Sequence, residues 1–369
     1  MTERPPLLGD LIRMVIKMIV GGIVVIGLVS CGVMTVAGAG AAAGGGAKIA
    51  KPKVSETLYG NAESDNSILQ VDIKGPILTH RPKDETNFFS AISAVTYGYE
   101  VKEQLLDAAK DDKVKAVMLF VTTPGGSIVG SQAIHDGVLA VKAAGKPVVA
   151  YVDTISASGG VWSTAGADKI FADYGSLIGS VGVNFGNWLH YDDPVALDGG
   201  LFGGGVTTRG GVKASFVGAG LGKDLGNPFR AMTEREQALL NETADYFYQM
   251  FLDHVVKHRN MDRQKLVEDY GAMIFGNAGA QARGYIDGTK SFQETLAFIA
   301  ESAGVTGDDW KLVSPPEEKL SPFEQMFGAS LEAISGDRAL VTQTARVCDE
   351  LTSRPVVMSA QALADLCGA

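Results

Sequence analysis

Four short segments carry the residue types that could do chemistry. Thr123-Pro124-Gly125-Gly126-Ser127 follows an apolar stretch and precedes a helical pattern. Paired glycines at such a point let the backbone approach a ligand and aim N–H groups into open space. That suits an oxyanion hole or a phosphate cradle, and it equally suits an ordinary strand-to-helix turn. The segment has no GK[ST] and no GxGxxG pattern, so it is not a nucleotide loop of either familiar kind. Ile155-Ser156-Ala157-Ser158-Gly159-Gly160 again joins a strand to a helix. A serine there can expose its hydroxyl as a nucleophile near a helix N-terminus, or it can cap that helix. The third segment sets Ser180 between glycines in Leu177-Ile178-Gly179-Ser180-Val181-Gly182-Val183. The fourth is Gly220-Leu221-Gly222-Lys223-Asp224, followed by Pro228-Phe229-Arg230. A serine is a weak nucleophile without a base, and no histidine falls in any of these segments. A desolvated lysine can serve as the base, although a lysine is ordinarily a surface cation.

The elements that must position these groups read as α/β. Residues 67–78 alternate and are rich in β-branched side chains, which predicts a strand ending in a Gly-Pro turn. Residues 100–109 predict a helix, 114–121 an apolar strand, 132–144 a helix, 147–152 a strand and 158–167 a helical stretch. Strand, glycine turn and helix in repeated alternation are the pattern of an α/β domain. Residues 233–258 predict a long amphipathic helix opened by a Thr233-to-Glu236 capping box. Pro315, Pro316 and Pro322 mark a passage into a C-terminal extension, 311–369, that shows no chemistry of its own.

The 369 residues carry 42 acidic and 32 basic side chains, a net charge of −10, which argues against a phosphate-backbone binder and hence against a nucleic-acid partner. The three cysteines, Cys31, Cys348 and Cys367, exclude a disulfide-built scaffold and a Cys-rich zinc module. The five histidines show no HExxH or other ligand spacing, so neither metal nor cofactor is expected.

No charged residue occurs between Lys17 and Lys48, and residues 18–36 are nearly unbroken apolar sequence. That length suffices for a membrane span, with the tail 1–17, bearing Arg4, Arg13 and Lys17, on the cytoplasmic side. A second reading competes: Leu28-Val29-Ser30-Cys31 fits a lipobox, with cleavage after residue 30 and acylation of Cys31. Either way the chain is held at a membrane, with lipid as a partner. Residues 37–46 are only alanine and glycine, and 37–66 is expected to be a flexible linker before a catalytic domain at 67–310.

Taken in order, these segments resemble the signal peptide peptidase A (protease IV) family of serine–lysine membrane peptidases, over roughly residues 68–288. The resemblance also takes in Ala167-Asp168-Lys169-Ile170 and residues 276–288. It implies a Clp/crotonase-type α/β spiral and the short, single-copy form of the family, whose subunits assemble into a ring around the serines. It further implies Ser158 as nucleophile, Lys223 as general base and Ser180 as the hydroxyl that orients the lysine. The N–H groups of Gly159, Gly125 and Gly126 would form the oxyanion hole. Two departures stand out. The glycine-rich stretch 198–205 lengthens the connection before the lysine, which leaves Lys213 as a rival base, and Trp162-Ser163 replace the family's usual residues. The expected activity is endopeptidase cleavage of apolar peptides such as signal-peptide remnants, outside the cytoplasmic membrane of a bacterium. The readings of other classes are a crotonase-type CoA-thioester enzyme, which needs no Ser–Lys pair, and a non-catalytic membrane scaffold, which would not keep one.

Overall fold

A computed structural model describes residues 53–81, 95–186, 188, 190, 219–220, 222–305, 307–318, 348 and 356–358. The apolar segment 18–36, Cys31, the glycine-rich stretch 198–205 and Lys213 lie outside the described residues. Among the described residues, no helix is long and apolar enough to cross a membrane.

The strands are β1 (Lys53–Val54), β2 (Thr57–Gly60), β3 (Ser67–Lys74), β4 (Ile77–Leu78), β5 (Thr96–Tyr97), β6 (Val114–Thr123), β7 (Gly125–Ser127) and β8 (Val148–Ala157). They continue with β9 (Lys169–Ala172), β10 (Leu177–Gly179), β11 (Ile274–Gly276), β12 (Gly288–Thr289), β13 (Lys311–Val313), β14 (Glu317–Glu318) and β15 (Val356–Met358). The helices used below are α1 (Gly98–Lys110), α2 (Ile128–Ala143), α3 (Gly159–Thr164), α4 (Glu234–Arg259), α5 (Asn277–Ala282) and α6 (Phe292–Ser302).

The main sheet runs β11-β10-β8-β6-β3-β13-β2, with β9 branching from β8 and β12 from β9. Its centre is parallel: β3 with β6, β6 with β8, and β8 with both β9 and β10. Antiparallel strands close its two ends, β11 on β10 and β2 on β13. Parallel strands must be covered on both faces, and this sheet is. Leu69, Val71 and Ile73 of β3 face one core with Leu105 of α1, Ile134 and Val138 of α2 and Phe251 and Leu252 of α4. Ile68, Met118 and Tyr151 face a second core sealed by Leu296 and Ile299 of α6. Strand β3 thus gives Leu69, Val71 and Ile73 to the first core and Ile68 to the second, and the chain is a layered α/β domain, as the sequence pattern predicts. A smaller sheet, β15-β7-β4-β5, joins the extended stretches at the ends of the main strands.

Two expectations shift. Strands β1 and β2 fall within the stretch expected as a linker, because β2 finds a hydrogen-bonding edge on β13. The extension from residue 311 begins inside the main sheet, where β13 pairs in parallel with β3. The capping box of α4 forms as expected: Thr233 Oγ1 accepts from Glu236 N, and the Glu236 carboxylate accepts from Thr233 N.

Candidate active site

Strand β8 ends at Ala157, and the next residue turns the chain sharply into α3. Ser158 has φ +54° and ψ −109°, a conformation sparsely populated by any residue with a side chain. Two backbone bonds hold it there: its N–H donates to the Gly179 carbonyl (2.8 Å), and its own carbonyl accepts from Trp162 N–H (3.0 Å). Ser158 occupies the N-cap position of α3, yet its side chain makes no capping bond. The Oγ is buried and, among the described residues, has no hydrogen-bond partner. A serine placed to cap the helix would have used this oxygen on an N–H of the first turn. With this backbone the hydroxyl does not cap the helix and is left unbonded among the described residues.

The neighbouring strand brings a second serine. β10 lies parallel to β8 with Gly179 opposite Ala157, so Ser180 and Ser158 leave adjacent strand ends side by side. Ser180 also has positive φ (+60°), is buried, and donates its N–H to the Met273 carbonyl at 2.7 Å. Both serines therefore sit at the carboxyl ends of parallel strands, the usual place for a site in such a sheet.

Strand β7 carries the Gly125–Gly126 pair past the same strand ends. A Cβ on Gly126 would lie 2.1 Å from the Ile77 carbonyl oxygen, so only glycine lets β7 lie against β4. Gly125 has φ +102°, and its N–H donates to Thr123 Oγ1 at 3.1 Å. Gly160, just beyond Gly159 in α3, sits so close to Thr123 Cγ2 that a Cβ there would be 2.7 Å away. On its other side β7 takes the C-terminal strand β15 in antiparallel register, Met358 opposite Gly125, Val357 opposite Gly126 and Val356 opposite Ser127.

Lys223 stands in a turn before α4 and is exposed; its N–H donates to the Gly220 carbonyl at 3.2 Å. Since Ser158 Oγ has no partner, Lys223 Nζ is not hydrogen-bonded to it. The structure therefore brings Ser158, Ser180 and the glycine loop together, with Lys223 not bonded to Ser158. The turn that bears Lys223 is itself firmly tied. Arg230 makes a two-pronged pair with Asp224 (2.6 and 2.8 Å) and a second with Glu236 (2.7 and 2.9 Å). Arg230, with the Thr233 N–H, holds the Glu236 carboxyl down at about 2. The Asp224 carboxyl is likewise lowered by Arg230. Asp224, Arg230 and Glu236 stand at intervals of six residues, a spacing that carries no sequence signature of a shared guanidinium. A cavity of about 410 Å³ lies beside the turn, lined by Phe185, Trp188, Leu225, Arg230, Met232 and Leu240 among others. Neither serine lines it, so it is not the nucleophile's own pocket.

Residues 140–306 match peptidase family S49. Over 205 residues the chain is 31% identical to a Methanocaldococcus jannaschii protein named as a protease, MJ0651, covering 55% of this chain and 61% of that one. It is 29% identical to protease 4 of Salmonella typhi over 56% of this chain and 31% of that one. It is 28% identical to an Enterococcus faecium protein named for signal peptide peptidase, SppA, over 69% of each. Among solved structures, a mutant of the 1510-N membrane-bound stomatin-specific protease aligns with a TM-score of 0.36 and 15% identity, over 63% of this chain and 84% of that one. The aligned region spans about three fifths of the archaeal relative and about a third of protease 4. The likeness to family S49 lies within residues 140–306, the stretch that holds Ser158, Ser180 and Lys223.

Proposed function

We propose that this protein is a membrane-held serine endopeptidase that cleaves apolar peptides, signal-peptide remnants among them, through an acyl-enzyme on Ser158. One observation carries the reading: the Ser158 hydroxyl is buried, strained into place and bound to nothing. In the proposed reaction Ser158 Oγ attacks the peptide carbonyl carbon and gives its proton to the Lys223 amine. The C–N bond then breaks, and the departing amine leaves with that proton. Water afterwards repeats the sequence on the ester and frees the acid product. Ser180, beside Ser158, orients the lysine, and the Gly126 and Gly159 N–H groups, with Gly125 once it leaves Thr123, receive the carbonyl oxygen. A crotonase-type thioester enzyme would have no need of the unpartnered serine.

The edge of β7 that faces away from β4 supports extended peptide as the substrate, because a short strand already pairs there. Backbone pairing along such an edge gives affinity regardless of sequence, and side-chain pockets supply preference. Strand β15 lies on this edge and also touches α3, directly over the glycine loop. The tail thus covers the place where substrate would lie. Val357→Pro removes the N–H opposite Gly126 and disfavours the pairing. It should speed both peptide turnover and the labelling of Ser158 by a fluorophosphonate, by several-fold. Absence of label on Ser158 in either form would defeat the nucleophile, whereas equal rates in the two forms would defeat the shielding alone.

Assembly into a Clp-like spiral ring is part of the same proposal. Leu239, Tyr246 and Met250 fall on one face of α4 and are 53%, 62% and 40% exposed, an apolar stripe suited to a subunit contact. The site lies outside the cytoplasm in this reading. Cys348 is disulfide-bonded, and such bonds persist in oxidising compartments. The apolar segment 18–36 would be the anchor. Mass spectrometry of the purified full chain should find residues 1–30 attached; an N-terminus at a diacylated Cys31 would replace the anchor with a lipoprotein tether.

A further inference from the structure

Away from the serines, the structure gathers three of the five histidines. His135 projects from the middle of α2, and His254 and His258 project four residues apart from the last turns of α4, on one face of that helix. One ring nitrogen from each lies within 4.8 Å of the others. The absence of ligand spacing read from the sequence is thus corrected: His254 and His258 form a helical i, i+4 pair, and folding supplies the third ring. We propose that this cluster is a binding site for a divalent transition metal that favours imidazole, zinc foremost, and that the ion clamps α2 to α4 behind the nucleophile.

The chemistry of the three rings fits. A tetrahedral zinc with N–Zn distances of about 2.0–2.1 Å needs nitrogens about 3.3 Å apart. The nitrogens, within 4.8 Å of one another, must therefore close by about 1.5 Å at most. The rings, 4.3, 4.4 and 4.9 Å apart between centroids, turn their nitrogens toward the ion. His135 is 2% exposed, and its Nδ1 is buried without a hydrogen-bond partner. His254 Nε2 lies 2.9 Å from the Trp162 carbonyl. That oxygen can only accept, so Nε2 carries the proton and Nδ1 keeps its lone pair. A carbonyl behind a ligating imidazole is the usual outer support of such a site. Burial holds His135 down at about 3 and His254 at about 4, so both are neutral, ligand-ready imidazoles at pH 7. His258 is only partly buried and gives the ion its path from solvent.

The charged side chains around the rings are mostly paired with one another. Asp136 is engaged by Lys102 (2.8 Å) and Gln132 (2.7 Å), and Lys142 by Asp168 (2.9 Å) and the Gly166 carbonyl (2.8 Å). Lys257, beside His258, is a further cation near the rings. With three nitrogens from protein, the fourth position falls to water on the His258 side. The ion would bear on the active site through a short path: His254 holds the Trp162 carbonyl, and Trp162 N–H holds the Ser158 carbonyl. The rings also pack as neutral aromatics, with His254 stacked on Trp162 at 4.7 Å. A packing role alone is therefore the competing outcome.

The test uses the full chain in detergent, stripped with chelator and titrated with Zn2+ and with Co2+. The proposal expects about one ion per chain and the intense visible absorption of four-coordinate Co2+. At a hundredfold excess over Kd, Tm should rise by roughly 5–10 °C. His258→Gln, the most exposed of the three, should fold and weaken binding by about 10^2-fold or more. His80→Gln and His190→Gln should bind as the parent does. Absence of stoichiometric binding overturns the site and leaves the cluster as packing, and undiminished binding by His258→Gln overturns its location. Neither result touches the serine, whose labelling by fluorophosphonate is read separately.

Discussion

Ser158→Ala is expected to abolish peptide hydrolysis, by about 10^4- to 10^6-fold, the scale seen when a serine hydrolase loses its nucleophile. Stability should move the other way or not at all. The hydroxyl is buried and unpartnered, so its removal breaks no hydrogen bond and spares a desolvated polar group worth about 1–3 kcal/mol. Ser158→Gly should go further, because glycine accepts φ +54° without the roughly 1–3 kcal/mol that a side chain costs there. The expected pattern is two inactive variants whose Tm equals or exceeds the parent's. Thermal unfolding of the three proteins, with turnover of one apolar peptide, checks it. Turnover by Ser158→Ala within tenfold of the parent would remove Ser158 from the chemistry. A marked drop in Tm would mean that the hydroxyl serves the fold.

The sequence carried the elements around this serine well, because their signals are local. The alternation of Ser67–Lys74 and the capping box at Thr233 each depend on residues a few positions apart, and both reappear in the structure. What Ser158 does there was not legible locally. A cap and a nucleophile both call for serine between a strand and a helix, and only the backbone angles and the unused Oγ separate them. The pairing of β15 with β7 was invisible for a different reason. Val356–Met358 is too short to carry a period, and its partner is a glycine loop more than 200 residues earlier in the chain. The histidine cluster was half visible: the helical spacing of His254 and His258 could be read, but His135 reaches them only through the packing of α2 against α4. The placing of β2 and β13 followed from an open sheet edge, which no composition rule reports.

Lys223→Arg is the second large effect, an expected loss of at least about 10^2- to 10^4-fold, the range for removing a general base. Arginine keeps the positive charge but cannot give up its proton in the working range, so a variant that preserves charge still loses the base. Lys213→Arg should stay within about twofold of the parent, and Ser180→Ala should fall between the two, since it removes an orienting hydroxyl and not the base. The exposed position of Lys223 and the empty hydrogen-bonding capacity of Ser158 say what must happen before turnover. On the proposed mechanism the amine has to be carried to the serine and stripped of water, which bound peptide or a neighbouring subunit along α4 would accomplish. Catalytic bonds that are long or absent without substrate are common. The Asp224–Arg230–Glu236 network makes the turn a rigid carrier for that movement. Arg230→Ala should therefore lower turnover while leaving Ser158 in place for fluorophosphonate. If instead Lys213→Arg is dead and Lys223→Arg is active, the base belongs to Lys213. The tied turn would then be a wall of the site and not its proton acceptor.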